Sequence, residues 1–394
     1  MDNTDSNENN LKKNKNAYKE SLLFKKLLQR KNAHKPLKIA FLDIDSTLTG
    51  DEKSIKQTKI QLKKMGYQLV FVTARTEEMV MSEIEYKKSK QLGFSRPKPY
   101  VSLKNGKYVY KDPAKENNNF VNPDIIIGST GTQILIKQSQ GGYIADTSFE
   151  KLFGVSSKCW REQTKKIIAQ ADPKKRAKFA TIEFEESYKN HISDIYPPKY
   201  RIKLLFKSIL DKKTFISNIK KIISTSYITR KESRFEKSGI RIIDESNTLH
   251  NKFAIYITPA LGNKGNAVNH VVTNICQYLK ISQDDIHVIL AGDSYPDLAM
   301  LFYGAKGTNA TAILVGGSRL SNILITKEIN EYAGEDLSLF KNNMQKHKEK
   351  IGYFYFTENL HEIYNRNIVI GDLAYPHTKG PATLLAFLNQ SLKN

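Results

Sequence analysis

The chain has 394 residues, and 62 Lys+Arg against 40 Asp+Glu give it a formal charge of +22. With 40% hydrophobic and 26% charged residues it suits a globular protein of two or three domains, which excludes collagen, wholesale disorder and a disulfide-stapled scaffold. The two cysteines, Cys159 and Cys276, form no CxxC pair, so a reducing compartment is expected and structural zinc is not.

No apolar run reaches the ~18–20 residues of a membrane span, and MDNTDSNENN lacks the basic-then-apolar order of a secretory signal. A cytoplasmic protein is expected, and secretion by a signal-independent route is compatible with this start. The charge favours phosphorylated small molecules, nucleic acid or an anionic membrane as partners. Heavy Lys, Asn and Ile use along the whole chain also fits a biased genomic composition. No feature of the sequence speaks to oligomeric state.

Residues 1–36 form a polar and basic extension. Within 11–35 there are nine Lys/Arg and one acid, Glu20, with Tyr18, Leu22, Leu23 and Leu27 at helical spacing. Such a basic amphipathic helix can lie on an anionic membrane or pack on the domain behind it, and a frayed, solvated tail is the plain alternative. From Lys38 the chain alternates apolar runs with helical patterns: strand 38–44, helix 52–65, strand 67–73, helix 76–92, then strands at 124–129 and 133–136. Continuous apolar strands between helices predict a parallel sheet covered on both faces.

Between about 145 and 255 the texture changes. TIEFEES and YRIKLLFK alternate like half-exposed antiparallel strands, with helices near 159–170 and 212–224, as in an α+β module. From Lys264 the core pattern returns: a helix to Tyr278, strand 286–291, a helix from Pro296, strands 311–315 and 352–356, and a closing helix 381–391. The predicted fold is α/β, a doubly wound parallel-sheet core interrupted by an α+β module. Its divisions are 1–36, 37–145, 146–252 and 253–394, with the core resuming near Phe253.

Four places carry chemistry. In FLDIDSTLTG, Asp43 ends a buried strand and Asp45 follows two residues on, where ligands of open α/β sheets bind. Two carboxylates there are costly to bury unless a cation or a shared proton relieves them. Turn chemistry with helix capping by Ser46 or Thr47 is the bland reading. In VILAGDSYPDLAML the geometry repeats with Asp293 and Asp297, and two such clusters at strand ends suit a hard divalent cation such as Mg²⁺. In VFVTAR, the Thr73 hydroxyl and the N–H groups after it can hold a phosphoryl oxygen. In TPALGNKGNAV, Lys264 precedes a helix whose positive end also attracts an anion.

In the order strand–DxD, strand–Thr, Lys–helix, strand–GDSxxD, these motifs resemble the haloacid-dehalogenase-like phosphohydrolase superfamily, with its Rossmann-like core. The resemblance covers roughly residues 37–145 and 253–325, and GPATLLAFL resembles that family's closing helix. The inserted module resembles the cap domain of the Cof-type subgroup, and PDIIIGSTGTQI resembles the sucrose-phosphate-phosphatase-like branch. The resemblance implies that Asp43 is the nucleophile and Asp45 the acid and base, with Thr73 and Lys264 holding the phosphoryl group. It further implies Mg²⁺ bound by Asp43, the Asp45 main-chain carbonyl and Asp293, with Asp297 supporting the metal site. Serine at 46, where the family usually has glycine, and the polar, lysine-rich stretch 319–351 depart from it.

The implied activity is Mg²⁺-dependent hydrolysis of a phosphate monoester, a sugar phosphate, through an aspartyl-phosphate. A phosphomannomutase-like phosphotransferase and a phosphoprotein or phosphoinositide phosphatase share this site and stand as alternatives. The last of these is suggested by the basic amino-terminal segment, which would meet a membrane surface. Residues 199–241 hold 13 Lys/Arg against Asp211, Glu232 and Glu236. Strand alternation is expected to put many of these cations on the solvent side. Tyr196, Tyr200 and Tyr227 interleave with them, a pattern shared with single-strand nucleic-acid binders. No RNP-like, helix-turn-helix or zinc-finger pattern accompanies it, which argues against nucleic acid, and an inert basic binding module is the least favoured alternative because no motif carboxylate is missing. His191 and His250 lack companions at metal-ligand spacing.

Overall fold

The computed structural model describes residues 17–45, 47–48, 52–74, 102–104, 107–109, 123–174, 177–179, 199–229, 239–244, 253–315, 349–351, 354–357, 366–371 and 380–391. Helix α1 (Leu22–Asn32) leads into strand β1 (Leu37–Leu42), helix α2 (Glu52–Lys64) and strand β2 (Gln68–Val72). The short pair β3 (Ser102–Lys104) and β4 (Lys107–Val109) precedes β5 (Ile125–Gly128), β6 (Gln133–Lys137), β7 (Tyr143–Ala145) and helix α3 (Thr147–Lys151). Then come α4 (Ser157–Ala171), β8 (Lys178–Phe179), β9 (Ile202–Phe206), α5 (Ile209–Thr229), β10 (Ile240–Asp244) and β11 (Phe253–Pro259). Helix α6 (Lys264–Leu279), β12 (Ile286–Gly292), α7 (Leu298–Tyr303) and β13 (Asn309–Leu314) follow. Strands β14 (Glu349–Ile351), β15 (Phe354–Thr357) and β16 (Arg366–Gly371) and helix α8 (Gly380–Ser391) complete the described elements.

The chain divides into two units, residues 1–148 with 264–394 and residues 149–263. In the first, one sheet runs β14-β15-β16-β13-β12-β1-β2-β5-β6-β7-β4-β3. Its middle, from β16 to β5, is parallel, and antiparallel strands extend both flanks. Ala40, Leu42, Phe71, Ile126 and Ile289 share a cluster with Leu62 of α2 and with Leu384 and Leu388 of α8. The intervening Ile39, Phe41 and Val70 are equally buried, so the sheet is covered on both faces. The core is therefore a doubly wound α/β fold. From β1 the chain moves through β2 to β5, and it returns on the opposite side of β1 as β12. Such a reversal is where open α/β sheets bind their ligands, here outside the carboxyl ends of β1 and β12.

Helix α1 corrects the picture of a frayed tail for residues 17–32. Ser21 caps it, accepting from Phe24 N at 3.0 Å, and Leu23, Phe24 and Leu27 are buried. Lys26 reaches the Asp124 carboxylate at 2.8 Å, Lys31 Nζ donates to Leu279 O at 2.7 Å, and Ser139 N donates to Glu20 O at 3.0 Å. The apolar face that offered itself to a membrane packs on the core. No helix among the described residues is long and apolar enough to cross a membrane.

The second unit is α+β: an antiparallel sheet in the order β10-β11-β9-β8, with helices α4 and α5. The core was expected to resume at Phe253, but β11 pairs along its length with β9 and β10, and the return falls at Lys264. An apolar run such as FAIYITP announces a buried strand without saying which sheet buries it. The expectation of solvated cations also fails at Arg201, Lys203 and Lys212, which are buried. The Arg201 guanidinium carbon lies 4.8 Å and Lys203 Nζ 5.0 Å from the Tyr256 ring centroid, and Lys203 Nζ donates to Tyr256 Oη at 3.3 Å. Cation–π contact and long aliphatic stems let Arg201 and Lys203 bury what alternation alone would expose. The predicted helix 76–92, the TIEFEES strand, Ser46, Tyr196, His191, His250, Glu232, Glu236 and residues 319–348 lie outside the described residues.

Candidate active site

Asp43, Thr73 and Asp293 directly follow β1, β2 and β12, three neighbouring parallel strands. Asp43 continues the ladder, its N–H donating to Ala291 O at 2.9 Å. Lys264 opens α6, and its Nζ lies 2.6 Å from Asp43 Oδ1 and 2.5 Å from Asp297 Oδ1. All three residues are at most 3% exposed. The other oxygen of Asp297 accepts from Asp293 N (3.2 Å), Ser294 N (3.0 Å) and Ser294 Oγ (2.8 Å). Both of its oxygens are thus engaged, and Asp297 braces the loop that carries Asp293.

Two glycines make this packing possible. A Cβ on Gly292 would sit 2.5 Å from Asp297 Cβ, and one on Gly265 would strike the Ala299 carbonyl and the Tyr303 ring. Close approach of α6 to the segment that carries Ala299 and Tyr303 therefore requires glycine at 265, and the packing of Asp297 against the end of β12 requires it at 292. It is this approach that brings Lys264 to Asp297.

One oxygen from each of Asp43, Asp293 and Asp297 lies within 4.8 Å of the others. Burial pushes the Asp43 carboxyl up to about 8; the charges of Asp297 and Asp45 add to this, while Lys264 opposes it. Asp293 is raised well above the usual carboxylate range by burial, then by Asp43 and Asp297, again against Lys264. Burial alone would discharge Lys264, but Asp297 and Asp43 outweigh it and hold the ammonium above its ordinary range. The cluster is short of positive charge. An all-oxygen donor set of this kind suits a hard divalent cation.

The fold thus brings together Asp43, Lys264, Asp293 and Asp297. Asp45 is half-buried and raises the pKa of both Asp43 and Asp293. Thr73 is fully buried; its N–H donates to Ile127 O at 2.8 Å and its carbonyl accepts from Thr130 N at 3.1 Å. Sequence reasoning missed Ser294, although a serine three residues before Asp297 has hydrogen-bonding spacing. It also missed a buried knot beside the first crossing between units. There Tyr18 Oη (2.8 Å) and His270 Nε2 (2.9 Å) meet Asp146 Oδ2, and Ser148 N (2.9 Å) meets Oδ1.

A family model described as haloacid dehalogenase-like hydrolase matches residues 40–308. No curated protein matches the sequence. Among solved structures, the chain is similar to the sucrose-phosphatase of Synechocystis sp. PCC6803 at 16% identity and a TM-score of 0.44, covering 76% of this chain and 90% of that one. A haloacid dehalogenase-like hydrolase of Bacillus subtilis matches at 17% identity and a TM-score of 0.38, covering 81% and 97%. At such identity neither substrates nor ligands carry over. The family match itself begins inside β1, ends at the residue before β13 and takes in more than half of the chain. This protein therefore belongs to the haloacid dehalogenase-like hydrolase family.

Proposed function

We propose that the protein is a Mg²⁺-dependent phosphatase that hydrolyses a small-molecule phosphate monoester, with a sugar phosphate as the substrate class. The observation that carries this reading is Lys264, held between Asp43 and Asp297 with Asp293 alongside, at the carboxyl ends of β1 and β12. Asp43, the Asp45 main-chain carbonyl and Asp293 would hold the cation, with Asp297 steadying them from behind. When bound, Mg²⁺ would neutralise phosphoryl oxygens and the carboxylates around them.

The chain's own groups do the rest. An Asp43 carboxylate oxygen attacks phosphorus as the bond to the leaving oxygen breaks, and the product is an aspartyl-phosphate. Asp45 gives its proton to that leaving oxygen. It then takes a proton from the water that attacks the phosphoryl group, which regenerates Asp43 and releases phosphate. Lys264 fixes the orientation of Asp43 through Oδ1 and offers positive charge to the transferring group. Thr73, with the peptide after it, supplies hydrogen bonds to a phosphoryl oxygen. Monoester hydrolysis can need accelerations near ~10²¹, roughly 28 kcal/mol, so the load must be divided among positioning, charge and proton transfer.

Turnover of p-nitrophenyl phosphate tests the reading. It should require Mg²⁺, disappear with EDTA and return on adding Mg²⁺, and Asp43→Asn should abolish it. Turnover indifferent to both treatments would remove the mechanism. Release of inorganic phosphate without isomerisation of a sugar phosphate would separate a hydrolase from a phosphotransferase.

A further inference from the structure

The turn after β5 holds three successive residues in the left-handed region, Ser129 at φ 50°, Thr130 at 64° and Gly131 at 87°. Glycine adopts this conformation freely, whereas serine and especially β-branched threonine do so at a cost. Such residues persist where their surroundings over-determine them, and they gather at functional sites. Here the surroundings are specific. Thr132 Oγ1 donates to Ser129 O (2.9 Å), Ser129 Oγ donates to Gln133 Oε1 (2.6 Å), and Gly131 N donates to Gly128 O (2.9 Å). Ser129, Thr130 and Thr132 are fully buried.

The outcome of this folding is one hydrogen bond, from Thr130 N to Thr73 O at 3.1 Å. Thr73 N donates in the same direction, to Ile127 O. Both backbone groups of Thr73 therefore face β5. In a trans peptide the N–H points opposite to the carbonyl that precedes it, so the Ala74 N–H is turned away from β5. Because β2 lies between β5 and β1, that direction is toward β1. Extending the parallel register in which Leu42 pairs with Phe71 sets Ala74 level with Asp45, just beyond Asp43.

We propose that the Ser129–Thr132 turn is a positioning element for phosphoryl transfer. By clamping the Thr73 carbonyl through the Thr130 N–H, it fixes the Thr73–Ala74 peptide so that the Ala74 N–H faces the phosphoryl oxygen on Asp43. Thr130 acts through that peptide and is a positioning residue, not a catalytic one. A donor aimed in advance spends nothing on reorientation in the transition state. Loosening the turn should therefore cost kcat more than substrate binding. The inference rests on the reading of Asp43 as nucleophile.

The test compares Thr130→Gly and Thr130→Asn in the full chain. Glycine relieves the strain and frees the turn, while asparagine tolerates the left-handed region within narrower limits. Thr130→Gly should unfold at an equal or higher urea concentration yet lose about tenfold in kcat on p-nitrophenyl phosphate, with KM within about twofold. Thr130→Asn should keep kcat within about threefold of the parent. A stable Thr130→Gly protein with unchanged kcat overturns the proposal. If the glycine variant folds poorly, the unsubstituted protein decides: its Ala74 amide resonance should move when orthovanadate is added with Mg²⁺, and an unmoved resonance overturns the proposal. A parent protein without phosphatase activity would instead overturn the reading on which it rests.

Discussion

At the scale of single residues, the site is a problem of charge. Asp43 and Asp297 converge with Lys264 where almost no water reaches, with Asp293 half-buried beside them, and Asp43 is pushed from 3.8 to about 8. The consequence for stability has a definite sign. A carboxyl raised in the folded state favours the folded protein while it keeps its proton, so stability is full below the unfolded value and is lost as pH rises toward about 8. A divalent cation competes with that proton. In EDTA the unfolding midpoint should therefore fall as pH rises from about 5 to about 8, and Mg²⁺ should raise the midpoint more at the upper pH. Equal increments at both pH values would show that Asp43 does not face the cation. Asp43 and Asp293 were legible in the sequence because an aspartate at the end of an apolar strand is conspicuous. The clamp at Thr130 was not, since a left-handed threonine looks like any other in composition, and GSTGT stood out only as a family resemblance.

At the scale of elements, α1 shows what amphipathic patterning can and cannot say. The spacing of Leu23 and Leu27 promised one apolar face, and the face exists. Patterning does not name what covers it. Here β1 and α6 cover it, and Lys26 and Lys31 tie its rim to Asp124 and to the end of α6. The same helix carries the chain from Tyr18, whose hydroxyl meets Asp146. Burial works against the Asp146 charge, but His270, Ser148 and Tyr18 together hold its carboxyl below the usual range. Leu27 is fully buried, so Leu27→Ala should cost about 2–5 kcal/mol in urea unfolding, as for other buried leucines. A loss near zero would mean that α1 is dispensable to the core. The assignment of β11 failed for a related reason: seven residues of apolar strand fit either sheet, and only the pairing with β9 and β10 decides.

At the scale of the whole molecule, the doubly wound core and the interruption were both legible, because buried parallel strands and half-exposed antiparallel ones differ in their hydrophobic period. The edges of the core sheet were not. β3, β4 and β7 on one flank and β14 on the other are three residues each, too short for a period to emerge. The second crossing between units falls immediately before Lys264, so the chain returns to the core at the residue that binds Asp43. The central claim is that Asp43 takes the phosphoryl group and that Asp45 is needed to release it. An Asp45→Asn protein mixed with p-nitrophenyl phosphate and Mg²⁺ tests it most directly. Nitrophenolate is a good leaving group that departs without an acid, so the first half-reaction should proceed while water, lacking its base, fails to complete the second. The account predicts a burst of one nitrophenolate per protein and the mass of one phosphoryl group on the peptide that contains Asp43. Steady turnover with no added mass on that peptide would contradict it.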